Sequence, residues 1–195
     1  MAAGATVRPS GGGGSGLWDA ASLSLRLAAM TEQDPELKRF GADYHGYRLR
    51  PPLADRTIRS FERESGVRLP ESYRRFLAEV ADGGAGPYYG VLGLTEQLDD
   101  EDAVHDLREE CLAPGFLATP FPYTRAIPGP GKGSRARYEL SGTLVIAEAG
   151  CGMFARLVVT GKSAGQVWFD DPDWGGLAPG PDFRTWYTDW LESTG

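Results

Sequence analysis

The clearest hydrophobic pattern is at the end of the chain, where large apolar side chains recur at the i, i+3, i+4, i+7 and i+8 positions of a helix. They are Phe183, Trp186, Tyr187, Trp190 and Leu191. A stripe of this kind occupies one helix face and packs against a core. Asp182 precedes the stripe and can cap the helix N-terminus. The pattern predicts a closing C-terminal helix that buries Trp186.

Four further helical segments are predicted upstream from spacing, capping residues and glycine stops. They are Leu17 to Met30, a short turn from Asp34 to Phe40, Asp55 to Ser65 ended by Gly66, and Pro70 to Val80 with its stripe of Tyr73, Phe76, Leu77 and Val80. Residues 44–52 are interpreted as irregular because Pro51-Pro52 interrupts regular structure. The acidic segment 95–110 has apolar residues at loose helical spacing, which is compatible with one more helix.

Apolar and alternating runs predict four strands, namely Tyr88 to Leu94, Thr143 to Ala147, Phe154 to Thr160 and Gln166 to Phe169. The last three have short glycine-rich connections, so they must be antiparallel. Trp168 is out of phase with its neighbours and is expected on the opposite sheet face. A long Pro- and Gly-rich loop is predicted over 112–138. The fold class is therefore α+β, with N-terminal helices, an antiparallel or mixed β-sheet and a closing C-terminal helix.

Composition is that of a globular protein and favours one domain. The chain has 195 residues, 41% hydrophobic and 24% charged, which suits a single core. Residues 1–16 are interpreted as a flexible Gly/Ser-rich tail and 17–195 as the domain. No apolar run reaches the roughly 18 residues of a membrane span, and the tail lacks the apolar stretch of a secretory signal. We therefore expect a cytoplasmic protein without a membrane partner, with Cys111 and Cys151 as thiols.

The charge of the chain indicates what kind of partner it can bind. The net charge is −7, which disfavours nucleic acid and favours a basic partner. Acidic residues concentrate between Glu96 and Glu110, where eight of them accompany a single arginine. Asp99, Asp100, Glu101 and Asp102 form the densest part and are predicted to face a partner protein. The alternative is a solvated acidic loop.

A second candidate partner surface is the turn that contains Asp170, Asp171, Asp173 and Trp174. Three carboxylates suit a hard cation, but Gly175 stands where a calcium loop needs Asp or Asn, so a solvated turn is preferred and no metal site is predicted. Exposed tryptophan is enriched at binding hot spots, which makes Trp174 a candidate anchor. Packing within the loop is the alternative for this side chain.

No catalytic or cofactor-binding residue is predicted. Gly161-Lys162-Ser163 has Arg156 where a phosphate loop needs its first glycine, and a strand follows instead of a helix. Cys151 is the best candidate nucleophile, but a nucleophilic cysteine needs a base. The two histidines of the chain, His45 and His105, lie in no recognisable partner motif. A small buried residue at a tight turn is the preferred interpretation of Cys151.

The order and spacing of several motifs resemble the SUKH superfamily. In the first half they are Phe61-Glu62, Gly66, Leu69-Pro70, Tyr73-Arg74, Phe76-Leu77, Gly83-Gly84 and Tyr89-Gly90. In the second half they are Gly142-Thr143-Leu144, Gly150-Cys151-Gly152, the segments 157–161 and 165–168, and the aromatic closing helix. The stretch Phe40-Gly41-Ala42 with His45 and Tyr47 resembles a bacterial branch. The resemblance covers about residues 37–191, which makes 17–36 an N-terminal helical extension.

The resemblance implies a protein-binding function without catalysis. The superfamily includes the fungal cell-wall assembly regulator and many bacterial toxin-immunity proteins, which bind and block a cognate toxin. The preferred prediction is an immunity protein whose partner is a basic, nuclease-like toxin domain. A regulatory or scaffold protein without a toxin partner is the alternative.

Overall fold

The computed structural model describes residues 17–98, 103–130 and 138–193. Within these ranges there are six helices and five strands. The helices are α1 Ala20–Gln33, α2 Ala42–His45, α3 Asp55–Ser65, α4 Glu71–Glu79, α5 Ala103–Leu112 and α6 Phe183–Glu192. The strands are β1 Ile127–Pro128, β2 Thr143–Gly150, β3 Met153–Val158, β4 Gln166–Asp171 and β5 Gly176–Asp182. None of these helices has the length and apolar character to cross a membrane.

The strands form one antiparallel sheet in the order β1-β5-β4-β3-β2. The predicted α+β class and the antiparallel arrangement are confirmed. Gly150 pairs with Met153 across the β2–β3 turn, and Asp171 pairs with Gly176 across the β4–β5 turn. Because Phe154 of β3 pairs with Asp170 of β4, the two turns lie at the same edge, called here the turn end of the sheet.

The two faces of the sheet bury different clusters. Leu157 and Val167 belong to the main core with the helices, whereas Val158 and Trp168 belong to a second cluster with Phe121. Neighbouring residues of a strand point to opposite faces. The prediction that Trp168 lies on the opposite face from Val167 is therefore confirmed.

The closing helix α6 has the predicted bounds and buried face. Phe183, Trp186, Tyr187 and Leu191 are buried, and Asp182 caps the helix by accepting hydrogen bonds from the next backbone N–H groups. The same face receives Trp18, whose ring contacts those of Phe76, Phe183 and Tyr187 edge-on. The N-terminal extension is thus bound to the last element of the chain.

The segment Tyr88 to Leu94, predicted as a strand, is instead a loop with one isolated bridge from Val91 to Gly84. Positive φ angles of 61° at Tyr88 and 106° at Gly90 interrupt the extended backbone. The loop still lies along β2, because Tyr89 N and Leu92 N donate to backbone oxygens of that strand. The strand prediction was wrong.

The segment Asp34 to Phe40, predicted as a helical turn, is not helical. Asp34 instead ends α1, and its carboxylate accepts hydrogen bonds from Lys38 N, Arg39 N and the Tyr47 hydroxyl. These bonds satisfy the local backbone without a helix. The short helix α2 occurs just downstream, within the part that was interpreted as irregular.

Strands β1 and β5 were not predicted. β5 has the sequence GLAPGPD, and its prolines and glycines are ordinarily signals against a strand. Its extended form comes from pairing with β4, which local sequence does not reveal. β1 is two residues long and pairs with β5 inside the predicted long loop.

Candidate functional site

Asp170, one of the predicted partner-facing residues, lies in the interior of the sheet. Its side chain is 4% exposed, and Arg156 Nε lies 2.6 Å from its Oδ2 atom. The Tyr138 hydroxyl donates a hydrogen bond to the other carboxylate oxygen. On the far side of the guanidinium, Arg156 Nη1 is 3.7 Å from Cys111 Sγ. Burial and the bond to Asp170 raise the pKa of Tyr138. Asp170 therefore neutralises a buried arginine and is withdrawn from the candidate surface.

Asp171 holds the β4–β5 turn together. Its carboxylate accepts hydrogen bonds from Trp174 N at 3.2 Å and Gly175 N at 2.8 Å. Asp173 and Trp174 are exposed, and 74% of the Trp174 surface is accessible. The turn is thus internally bonded and presents a carboxylate and an indole to solvent. Across the described residues, no group of three or more His, Cys, Asp or Glu side chains is placed to hold a metal ion.

The predicted acidic residues Asp99, Asp100, Glu101 and Asp102 lie outside the described residues. The following helix α5 is described and carries exposed acids at Asp106, Glu109 and Glu110. Its opposite face is fixed to the sheet by the buried Arg108, which donates to Val145 O at 2.9 Å and to Gly93 O at 2.8 Å. Two buried arginines, Arg108 and Arg156, were not predicted, because their partners are distant in sequence.

Three aromatic side chains that the sequence did not assign to a partner surface form an exposed cluster, called here the aromatic patch: Phe40, Tyr44 and Tyr89. Tyr44 stacks on Tyr89 with ring centres 4.2 Å apart and a 20° angle between planes. Phe40 contacts the same ring at 5.2 Å. Phe40 is 62% exposed and Tyr44 is 67% exposed. The sequence offers one indication of this cluster, because Phe40 and Tyr44 lie close together in it. Tyr89 is brought next to them by the fold alone.

A tight backbone contact positions the patch. Gly41 has φ of 77°, and a Cβ atom at this position would lie 1.7 Å from the carbonyl oxygen of Tyr88. Only glycine permits both the left-handed conformation and this approach. The close contact between Gly41 and Tyr88 therefore positions Phe40 and Tyr44 next to Tyr89.

The patch continues to the turn end of the sheet. Tyr89 N donates to Glu148 O at 3.2 Å, and a Cβ atom at Gly150 would lie 2.6 Å from Tyr89 Oη. A Cβ atom at Gly152 would lie 3.7 Å from Asp173 Oδ2. The β2–β3 turn thus connects the patch to the turn that carries Trp174.

Cys151 lies exposed in the β2–β3 turn with φ of 52°. Its thiol is therefore on the surface, and the expectation of a small buried residue was wrong. His45, one of the two histidines, accepts the N–H of Tyr47 at its Nδ1 atom and packs edge-on against Trp190. Burial lowers the pKa of His45. These contacts are those of a structural histidine.

A groove of about 320 Å³ lies beside the patch and includes Tyr44 and Tyr89 in its wall. Further along the groove, Arg50 Nη1 lies 3.2 Å from Glu96 Oε1. Arg48 is exposed and also contributes to the groove. The surface therefore has aromatic rings at one side and guanidinium groups at the other.

Comparison with protein-family models matches residues 52–189 to the SMI1 / KNR4 family (SUKH-1). Comparison with curated proteins and with solved structures gives no match. The matched range begins before α3 and ends within α6, so α1 and α2 precede it. This match confirms the resemblance drawn from the motif order, over a range that starts later than the expected residue 37. The chain belongs to the SMI1/KNR4 family (SUKH-1).

Proposed function

We propose that this protein is a bacterial immunity protein, which binds a cognate toxin in the cytoplasm and neutralises it stoichiometrically. Membership of the SMI1/KNR4 family supports a protein-binding domain. The observation that carries the proposal is the exposed Trp174, which projects from a turn that Asp171 holds by two hydrogen bonds.

Trp174 has the properties of an interface anchor. A large aromatic side chain on a rigid turn loses little conformational entropy when it becomes buried in a partner. Tryptophan is also enriched among the residues that dominate binding energies. Asp173, beside it, adds a negative charge at the same surface. The proposed interface includes Trp174, Asp173 and the exposed edge of Asp171.

The acidic residues supply the second part of the proposal. Asp99, Asp100, Glu101 and Asp102 directly precede α5 in the sequence, and α5 carries the exposed acids Asp106, Glu109 and Glu110. Toxins that cut nucleic acid hold their substrate with a basic surface. An acidic inhibitor would cover that surface and would associate faster because of electrostatic attraction.

The test is co-purification of the tagged full chain with the product of the neighbouring toxin-like gene, followed by light scattering and a toxicity assay. We expect a complex of fixed stoichiometry and loss of toxicity. Trp174→Ala should weaken the complex, whereas Leu25→Ala, which removes another exposed apolar side chain, should not. A stable complex without protection of cells would refute immunity and favour the regulatory or scaffold role.

A further inference from the structure

The aromatic patch contributes little to the core. Neither Phe40 nor Tyr44 belongs to the buried clusters, and both are more than half exposed. Clustered apolar rings in water are unfavourable and typically mark a binding site. The contact of both rings with Tyr89 nevertheless fixes their positions. The patch is an ordered surface available for a ligand.

Left-handed backbone conformations surround the patch. Among the described residues, the non-glycine residues with positive φ are Leu37, Tyr47, Tyr88 and Cys151. Leu37 and Tyr47 flank the segment that carries Phe40 and Tyr44, while Tyr88 and Cys151 adjoin Tyr89. Such conformations cost free energy of folding and gather at binding sites. The fold maintains them where they place exposed aromatic rings.

Two acidic residues, Glu148 and Asp43, lie near Tyr89. Partial desolvation raises its pKa, and the nearby Tyr44, Glu148, Cys151 and Asp43 raise it further. Asp43 precedes Tyr44 in α2 and is exposed. The faces of aromatic rings also attract cations. The ring faces and Asp43 together favour a positively charged group.

We propose that the aromatic patch binds an arginine side chain of the partner protein, with the guanidinium on the exposed face of Tyr44 and paired with Asp43. The planar guanidinium can stack on a ring while its N–H groups bond a carboxylate, which an ammonium cannot do equally well. Phe40 contacts the aliphatic part of the same side chain. The inference rests on the proposed protein-binding function and names the chemistry of the partner, a basic segment with an exposed arginine.

The direct test is titration of the full chain with a short arginine-containing peptide, observed by NMR of the aromatic rings. Matched peptides carry lysine or the neutral isostere citrulline in place of arginine. We expect saturable shifts at Phe40, Tyr44 and Tyr89, with the arginine peptide binding most tightly and the citrulline peptide least. Equal affinity for arginine and citrulline peptides would overturn the proposal.

Single substitutions test which residues bind the arginine peptide. Tyr44→Ala is expected to weaken the arginine peptide about two- to thirtyfold, the range of cation–π contacts. Asp43→Asn should weaken it and reduce its dependence on salt. Leu25→Ala, which removes an exposed apolar group elsewhere, should leave the affinity unchanged. Unchanged affinity in the folded Tyr44→Ala variant would refute the assignment.

Different results would refute the immunity function and the arginine site. The peptide titration requires no toxin, so absence of a co-purified partner would refute the immunity function without affecting the titration. If the toxin is captured but neither peptide binding nor toxin affinity depends on Tyr44 and Asp43, the arginine site is refuted and the immunity function stands.

Discussion

Arg156 of β3 and Asp170 of β4 form an ion pair inside the sheet, with 2.6 Å between Nε and Oδ2 and both side chains almost wholly buried. Their charges are removed from water together, so each is stabilised mainly by the other. The Tyr138 hydroxyl supplies a further hydrogen bond to the same carboxylate.

Asp170→Asn is expected to destabilise the fold by about 3–5 kcal/mol, because it leaves the buried Arg156 charge without a counterion. Urea denaturation measures the free energy of unfolding. Asp173→Asn is the matched control, since this residue is exposed in the next turn, and it should change stability by less than about 0.5 kcal/mol. Equal effects of the two substitutions would contradict the interior assignment.

Trp186→Ala should cost about 3–5 kcal/mol, as large-to-small core substitutions do. Trp186 is 6% exposed on the apolar face of α6. The comparison is Trp174→Ala, which removes the same side chain at a position that is 74% exposed. The denaturant midpoint should move strongly for the first variant and little for the second. An unmoved midpoint in Trp186→Ala would place this face on the surface.

Deletion of residues 1–16 should leave the melting temperature nearly unchanged, since the tail has no apolar anchors. Deletion of residues 1–18 should lower it, because Trp18 packs on Phe76 and donates its indole N–H to Ser72 O at 3.0 Å. Differential scanning fluorimetry of the two truncations makes the comparison. A large loss on the shorter deletion would refute the prediction for the tail.

The pKa of Asp34 is lowered, chiefly by the hydrogen bond from Tyr47, with further backbone bonds. A carboxyl with a depressed pKa in the folded state adds stability that is present above its unfolded pKa of about 3.9 and is lost as the pH falls through the folded value. Tyr47→Phe should therefore raise the pKa of Asp34 and reduce this acid dependence.

Carbon-detected NMR titration of the Asp34 carboxyl in the wild type and in Tyr47→Phe provides the measurement. Tyr44→Phe is the control, because it removes a hydroxyl from a nearby tyrosine that does not bond Asp34. An identical Asp34 titration in wild type and Tyr47→Phe would mean that the hydroxyl bond does not determine the shift.

Replacement of Asp99, Asp100, Glu101 and Asp102 by Asn or Gln should leave folding unchanged and slow association with the toxin. The association rate should also become less sensitive to salt, because the variant lacks the charges whose attraction salt screens. Stopped-flow measurements at low and high salt test this. Identical association rates for both proteins would remove these residues from the interface and direct attention to Trp174.

The sequence correctly predicted helices whose hydrophobic pattern lies within a short stretch of the chain. The stripe of α6 is contained in nine consecutive residues, so spacing alone located Trp186 in the core. β5 could not be found this way, because Pro179 and Pro181 suppress its intrinsic strand preference and pairing with β4 imposes the extended form. The order of predicted elements correctly gave the α+β architecture, and the family resemblance assigned no surface.

The candidate site was predictable only in part, because it depends on contacts between distant residues. Trp174 was identified from its turn, yet Asp170, four residues earlier, is buried by an arginine on another strand. The aromatic patch joins residues 40 and 44 to residue 89. No periodic pattern links these positions, so the tertiary structure was needed to see that they meet.

The contact between Trp18 and α6 has a consequence for biosynthesis. Trp18 packs on Phe183 and Tyr187, and His45 of α2 packs on Trp190. The region before α1 and the helix α2 thus dock on a helix that is translated well after them. The contacts of Trp18 and His45 with α6 can therefore form only after this helix has left the ribosome, so a nascent chain without α6 lacks them.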